Sequence, residues 1–510
     1  MRRFHLARIG GTASAVAVAM TLVAAPAPAG PATVEEGTEL AEQLVRKVSG
    51  PAANRHLIAF QRIAHMNDGN RADQTSGYDA SVDYVASHLR RAGFIVETPE
   101  FTYEQEVADA TDLTVGDATF HVDKLAESID TPEEGVSGPL VVLPERPDGL
   151  TGCAAEDFEG LPTDGAIAVI RRGGCSFEQK ALLAADAGAD SAVITNNIPG
   201  PLNNGTISNT GPIPVGGMSM EDGDVLAGLD GQSATLRMVH HIEERTSVNV
   251  IAETRTGRPD NVVMAGAHLD SVPEGAGIND NGSGSAALLE AALKLGSRPD
   301  VNNTVRFAWW GAEELGLIGS TEYVAGLTFE EQLDIALYLN FDMIASPNVG
   351  YFVYDGDDSD GEGAGPGPYG SAQIEATFVD FIEDRLNVPT QGTDFSGRSD
   401  YSGFINVGIP AGGLFTGAEG VKTPEQAALW GGTAGEAYDP CYHQACDDLG
   451  NVDRVALDRN LDAMAWAVGI YGWSTEDING VPPREERARL RASAFRTAAL
   501  DAHDGHLVSN

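Results

Sequence analysis

The chain has 510 residues, 42% of them hydrophobic, and a formal net charge of −43. That much apolar material builds a packed core, and the length exceeds the ~100–200 residues of a typical domain, so a fibrous or disordered chain is excluded and more than one domain is expected. An acidic excess of this size repels polyanions and excludes a nucleic-acid binder, but a solvated acidic exterior accounts for it, so it does not identify a substrate.

Met1-Arg2-Arg3 makes a basic start, Ala13 to Ala25 a short apolar run and Ala27-Pro28-Ala29 a small-residue cleavage site. This is the layout of an export signal over residues 1–29, and the Arg pair leaves the twin-arginine route open beside the general one. No later run reaches the ~20 apolar residues of a membrane span. The mature protein is therefore expected to be secreted, soluble, without a membrane partner, and monomeric. Four cysteines in an exported chain permit two disulfides. Proximity within local motifs pairs Cys153 with Cys175 and Cys441 with Cys446, one of three possible connectivities.

Residues 34–110 read as the first part of an α/β domain. Asp79 to Arg91 carries apolar residues at helical spacing, begins at an Asp that can cap it and stops at Gly93, and Phe94 to Thr98 follows as a strand. From about 111 to 243 the pattern changes to short apolar runs between Gly, Pro and Asp. Leu140 to Leu143, Ala166 to Ile170 and Ser191 to Thr195 are buried-strand candidates. Within this insert, Arg172-Gly173-Gly174-Cys175-Ser176-Phe177-Glu178-Gln179-Lys180 resembles the core signature of the protease-associated (PA) domain, which implies a β-rich, non-catalytic insert. Glu178 and Lys180 are expected at its surface. An insert placed just before the motifs below is expected to restrict large substrates.

Residues 244–475 resume the α/β pattern. Val248 to Glu253, Asn261 to Gly266, Thr304 to Trp310 and Tyr338 to Asp342 read as strands, and Gly284 to Leu295 reads as a helix. The expected fold class is α/β, with a mixed, largely parallel central sheet flanked by helices, whose sites collect at the carboxyl ends of strands. Asp355 to Gly370 has no apolar period and reads as a flexible loop; it fails as an EF-hand because Asp360 stands where the turn Gly belongs. Residues 476–510, with Pro482-Pro483 and several Arg, read as a polar helical tail removed on maturation.

The chemistry lies at the strand ends. His268 with Asp270 two residues on suits a metal ligand and the carboxylate that orients it. Asp280 sits in a Gly-rich turn, Gly277 to Gly284, which lacks the Lys of a phosphate loop, so its carboxylate suits a bridge between two cations, with a strained or cis peptide to Asn281. Glu313 and Glu314 are adjacent and diverge, which allows Glu314 to bind metal while Glu313 acts as general base. Asp342 follows an apolar strand, where an unpaired carboxylate is costly. His443 lies between Cys441 and Cys446 in a small loop, and Tyr442 beside it either donates to an oxyanion or simply packs.

His268-Leu269-Asp270-Ser271, Gly277 to Gly284, Gly311 to Gly316, Asn340 to Ile344 and Cys441-Tyr442-His443 resemble, in order, the motifs of secreted bacterial dizinc aminopeptidases of the leucyl type. The likeness covers about residues 50–105 and 245–473. It implies one zinc on His268, Asp280 and Asp342, a second on Asp280, Glu314 and His443, Glu313 as base and Tyr442 at the oxyanion. It also places Arg398 near the substrate and Phe415 in an apolar pocket for the first side chain, with Glu313, Asp342 and backbone near Arg398 holding the free α-amino group. Tyr401 departs from the family, which commonly has His there. Some relatives bind calcium through carboxylates matching Asp458 and Asp462, but the amino-terminal Asp partner is not evident. The expected substrates are peptides with a free amino terminus and a large apolar first residue. The rivals are a carboxypeptidase or glutaminyl cyclase of the same fold, and a catalytically silent receptor-like binding protein.

Overall fold

The computed structural model describes residues 34–202, 205–207, 211–361, 363, 365–476, 487–489 and 491. The expected export signal, 1–29, and most of the tail lie outside the described residues. The chain divides into two compact units, Glu100–Ser247 and the remainder, up to Pro99 and from Val248 onward.

Three helices open the larger unit: α1 (Val34–Val45), α2 (Gly50–Met66) and α3 (Ser76–Ala92). Tyr78, Val82, Val85, Ala86 and Leu89 give α3 its buried face. It starts three residues before the expected Asp79. Thr75 is the cap, accepting the Tyr78 N–H, while Asp79 sits in the first turn, where its charge suits the helix dipole. Gly93 ends the helix at φ 89°, a left-handed residue that glycine adopts without strain.

The sheet of this unit has eight strands: β1 (Ile95–Glu97), β2 (Val250–Glu253), β3 (Arg258–His268), β4 (Asn303–Trp310), β5 (Ile335–Phe341), β6 (Phe352–Tyr354), β7 (Gln391–Thr393) and β8 (Ala411–Phe415). Their spatial order is β1-β2-β4-β3-β5-β8-β6-β7. The four central strands β4, β3, β5 and β8 are mutually parallel, whereas β2 joins β4, and β6 joins β8, in the antiparallel sense. All seven residues of β5 are buried because both faces are covered, the pattern of a sheet between helical layers. One face packs on α2, α3, α4 (Gly282–Leu295) and α5 (Arg454–Trp473), with Phe60, Leu89, Leu288, Phe307, Trp309 and Met464 in its core. The other face stacks Trp310, Tyr338 and Phe404. The parallel strands thus place His268, Trp310, Phe341 and Phe415 at one end of the sheet.

The smaller unit is a second eight-stranded mixed sheet with helices Phe177–Asp186 and Met220–Ala227. Two 16-residue strands, Glu100–Val115 and Ser233–Val248, enter and leave it, and the expected boundaries 111 and 243 fall inside them. Their alternating polar residues conceal them from a search for apolar runs. Lys180 corrects the expectation of a surface charge: its side chain is buried, and its ammonium donates to the Thr151 carbonyl beside the Cys153–Cys175 disulfide. Burial pulls its pKa down to about 8. The unfolded chain holds that proton to a higher pH, so the buried charge costs stability below pH 8, and that cost is removed as pH rises through 8 toward the unfolded value. We expect parent stability to rise relative to Lys180→Met between pH 8 and 10, by on the order of 3 kcal/mol at most, measured as the difference in denaturation midpoints.

Two of the described residues in the expected polar helical tail are enclosed. Arg487 is buried, donating to the Asn261 side chain and the Asp260 carbonyl at 2.6 Å each, and Arg491 is buried against the carbonyls of Gln332 and Ile335. These partners lie near the starts of β3 and β5, the end of the sheet away from His268. Of the two carboxylates that match a calcium site in some relatives, Asp458 is engaged at the start of α2, accepting the Gly50 N–H at 2.5 Å. The stretch read as a flexible loop starts with an ordered turn, in which the buried Asp355 carboxylate accepts the N–H groups of Asp357, Ser359 and Asp360.

Candidate metal centre

Each candidate ligand emerges where a strand ends or a tight turn begins. His268 is the last residue of β3, Glu313 and Glu314 follow β4, and Asp342 follows β5. The Glu pair lies in a turn in which Gly316 and Leu317 both donate to the Glu313 carbonyl, and Ala312 adopts φ 54°. Asp280 precedes α4, whose cap Asn281 accepts the Gly284 N–H at 2.9 Å and donates to the Phe341 carbonyl at 2.9 Å. That cap ties the turn to the end of β5. The Asp280–Asn281 peptide is cis, within the alternatives expected. His443 sits in the loop closed by Cys441–Cys446, and both disulfides pair as expected.

The two oxygens of Asp280 face different partners. Oδ1 lies 3.2 Å from His268 Nε2, which is itself 3.3 Å from Asp342 Oδ1, whereas Oδ2 lies 3.3 Å from His443 Nε2, which is 3.0 Å from Glu314 Oε2. Donors about 2.0–2.1 Å from a tetrahedral zinc are separated by about 3.3 Å, so these spacings match the edges of two zinc tetrahedra sharing Asp280. Wider groupings overlap the same set: His268, Asp280 and Glu314 offer donor atoms within 4.8 Å of one another, as do His268, Glu313 and Asp342. Glu314 Oε1 and Asp342 Oδ1 are buried without hydrogen-bond partners, a costly state that cations would relieve. The residues therefore fit metal.

Charge and burial compete throughout. Burial pushes Glu314 up to about 7, aided by the Asp280 carboxylate and opposed by His443. Burial likewise holds Glu313 well above the usual carboxylate range, against the pull of His268. Although burial would lower His268, the carboxylates of Glu313 and Asp342 hold it well above its ordinary value. Asp280 is held below its ordinary value because its two histidines outweigh burial.

The supporting residues converge on the same place. Asp270 faces His268 Nδ1 at 3.5 Å and accepts the Glu314 N–H at 3.2 Å, linking the ends of β3 and β4. Tyr442 stacks on His443, with ring centroids 3.8 Å apart, and its hydroxyl accepts from Arg398 at 3.2 Å. Arg398 is held in turn by Glu419 at 2.8 Å. Phe415 ends β8 beside the end of β5, where Phe341 pairs with Leu414. It belongs to an aromatic group in which Phe352 approaches Phe415 at 6.2 Å, Trp430 at 5.2 Å and Tyr438 at 5.3 Å. Tyr401, by contrast, is buried among Tyr354 and Phe395, and its hydroxyl accepts the Gly397 N–H.

Several contributors escaped the sequence reading. Ser399 donates to Asp342 Oδ2 at 2.6 Å, and its neighbour Asp400 is fully enclosed, with its pKa raised by burial to about 7. Both stand in the Gly397 to Asp400 stretch that drew attention for Arg398 alone. The buried Arg71 grips the loop after His268, and Asp439 and Asp447 flank the His443 loop. Their proximity to Cys441 and Cys446 was the available signal for the two acids; Arg71 had none.

The peptidase family M28 matches residues 249–468, and the PA domain matches residues 136–226. A probable lipoprotein aminopeptidase, LpqL of Mycobacterium tuberculosis, is 49% identical over 91% of this chain and 92% of its own length. Leucine aminopeptidase 2 of Trichophyton tonsurans is 43% identical over 85% of this chain and 86% of its own. Among solved structures, the zinc aminopeptidase BSAP from Bacillus subtilis superposes with a TM-score of 0.61 and 26% identity over 86% of this chain and 95% of its own. The chain belongs to peptidase family M28. It is a metallo-aminopeptidase carrying a PA domain.

Proposed function

We propose that the enzyme is exported, binds two zinc ions, and releases large apolar residues such as leucine from the amino termini of peptides. The observation that carries this reading is the division of Asp280 between two sets of donors at zinc-like spacing. His268, Asp280 and Asp342 would hold one ion, and Asp280, Glu314 and His443 the other. Bound zinc supplies Lewis acidity and lowers the pKa of water toward neutrality. Glu313, 3.8 Å from His268 Nε2, would take the proton from the attacking water and pass it to the leaving amine. Because Arg398 donates to the Tyr442 oxygen, the phenol proton is left to meet the developing oxyanion. The aromatic group around Phe415 suits an apolar first side chain. Export is supported by two disulfides, and among the described residues no helix is long and apolar enough to cross a membrane.

Purified protein assayed on leucine p-nitroanilide and on its N-acetylated form tests this reading, together with a zinc count per chain. Cleavage of the free-amino compound alone, with about two zincs bound, is expected. Equal cleavage of both compounds would remove the amino-terminal requirement. Zinc binding without cleavage of either would favour a silent binding protein.

A further inference from the structure

The ligands proposed above come from two kinds of scaffold. His268 ends β3, Asp342 directly follows β5 and Glu314 follows β4, strands that are paired within the sheet, with Gly266 of β3 opposite Asn340 of β5. Asp280 and His443 come from a turn and a loop that no sheet joins. What joins them is a buried polar network. Asp447 accepts the Asn279 N–H on Oδ1 at 2.8 Å and the Asp280 N–H on Oδ2 at 3.0 Å. Asp439 accepts the Asn279 side-chain amide on Oδ2 at 2.7 Å and the Cys441 N–H on Oδ1 at 2.8 Å. Between the two acids, the Asn451 amide donates to both oxygens of Asp439, at 2.9 and 3.1 Å, and to Oδ1 of Asp447 at 3.1 Å. Asn279, Asp439, Asp447 and Asn451 are all buried. All four carboxylate oxygens of the two acids accept hydrogen bonds, which favours one geometry for the network.

We propose that Asp447 and Asp439 are positioning residues that lock the Asp280 turn to the Cys441–Cys446 loop, so that Asp280 and His443 present themselves as one rigid unit to the second metal. This rests on the ligand assignment above. The first metal draws only Asp280 from this network and has the sheet to align His268 and Asp342, whereas the second draws both Asp280 and His443 from it and only Glu314 from a strand end, so the second metal's affinity is the one that depends more on the two acids. Outer groups that orient ligands typically change metal affinity by about 10- to 100-fold.

Asp447→Asn keeps the shape but offers one acceptor oxygen to two N–H groups, and turns an amide NH2 toward the other. Zinc titration by equilibrium dialysis is expected to show one of the two ions weakened by about 10-fold or more, while the other, which shares Asp280 but not His443, is weakened several-fold less. Asp439→Asn is expected to weaken the same ion. Should these variants fail to fold, Asn451→Ser, which leaves both ligand-bearing segments intact, is expected to produce the same selective loss in milder form. Equal weakening of both ions, or two zincs held as in the parent with only a lowered melting temperature, would overturn the proposal. A parent protein that binds a single zinc would instead overturn the two-metal reading on which the proposal rests.

Discussion

Glu313→Gln is expected to lower kcat by roughly two to four orders of magnitude, the scale of a lost general base, with zinc content and KM little changed. Glutamine fills the same space but cannot accept the proton. The turn from Gly311 to Leu317 separates the two adjacent glutamates: Glu313 approaches His268 at 3.8 Å, whereas Glu314 reaches His443 at 3.0 Å. A substitution at Glu313 therefore leaves the spacings around Asp280 intact. Steady-state kinetics on leucine p-nitroanilide, with metal analysis on the same sample, separates the outcomes. A parallel fall in zinc content would make Glu313 a ligand, and an unchanged kcat would remove it from the mechanism.

Arg71→Met is expected to cost about 3–5 kcal/mol of stability, the range for removing one partner from a buried charged network. Arg71 is fully buried, and its guanidinium donates to the carbonyls of Leu269, Ala276 and Gly277, the last two at 2.8 and 2.6 Å. Those carbonyls bracket the loop from His268 to Asp280. Burial lowers the Arg71 pKa to about 10, even though Asp270, Asp447, Asp280 and Glu314 support its charge, so it remains a cation at neutral pH. Methionine would strand the Leu269 and Ala276 carbonyls, leave the Gly277 carbonyl with the Gly282 N–H alone, and remove the counter-charge of four carboxylates. Lysine would restore the charge but not the planar fork, and should recover less than half of the loss. The check is the urea midpoint of each zinc-loaded variant. A shift in Arg71→Met corresponding to less than about 1 kcal/mol, the size of an ordinary surface pair, would show that the loop holds itself.

The continuous apolar runs of β3, β4 and β5 were legible because a sheet covered on both faces requires every residue to be buried. The candidate ligands were named at the same points, because several polar ligand types in order beside such runs are together harder to explain as solvated charge than each one alone. His268, Asp280, Glu313, Glu314, Asp342 and His443 accordingly lie together at one end of the sheet, and the cysteines of each local motif are paired. The cap of α3 was displaced because Asp79 and Thr75 are both competent caps, and only the backbone path chooses between them. The edges of the insert were hidden by two long strands whose residues alternate between exposed and partly buried.

By itself, then, the order of residues along this chain determined the fold class, the family and the set of candidate ligands, because each is a local pattern of burial period, turn chemistry or motif spacing. Only the tertiary structure decided which carboxylate faces which histidine. It also decided that Arg71, Lys180, Arg487 and Arg491 are buried, and that Asp439 and Asp447 join two segments more than 150 residues apart in the chain. A charged side chain shows no period that reveals its surroundings. Whether it is solvated or enclosed depends on carbonyls and carboxylates brought to it from distant segments, and those neighbours exist only once the chain has folded.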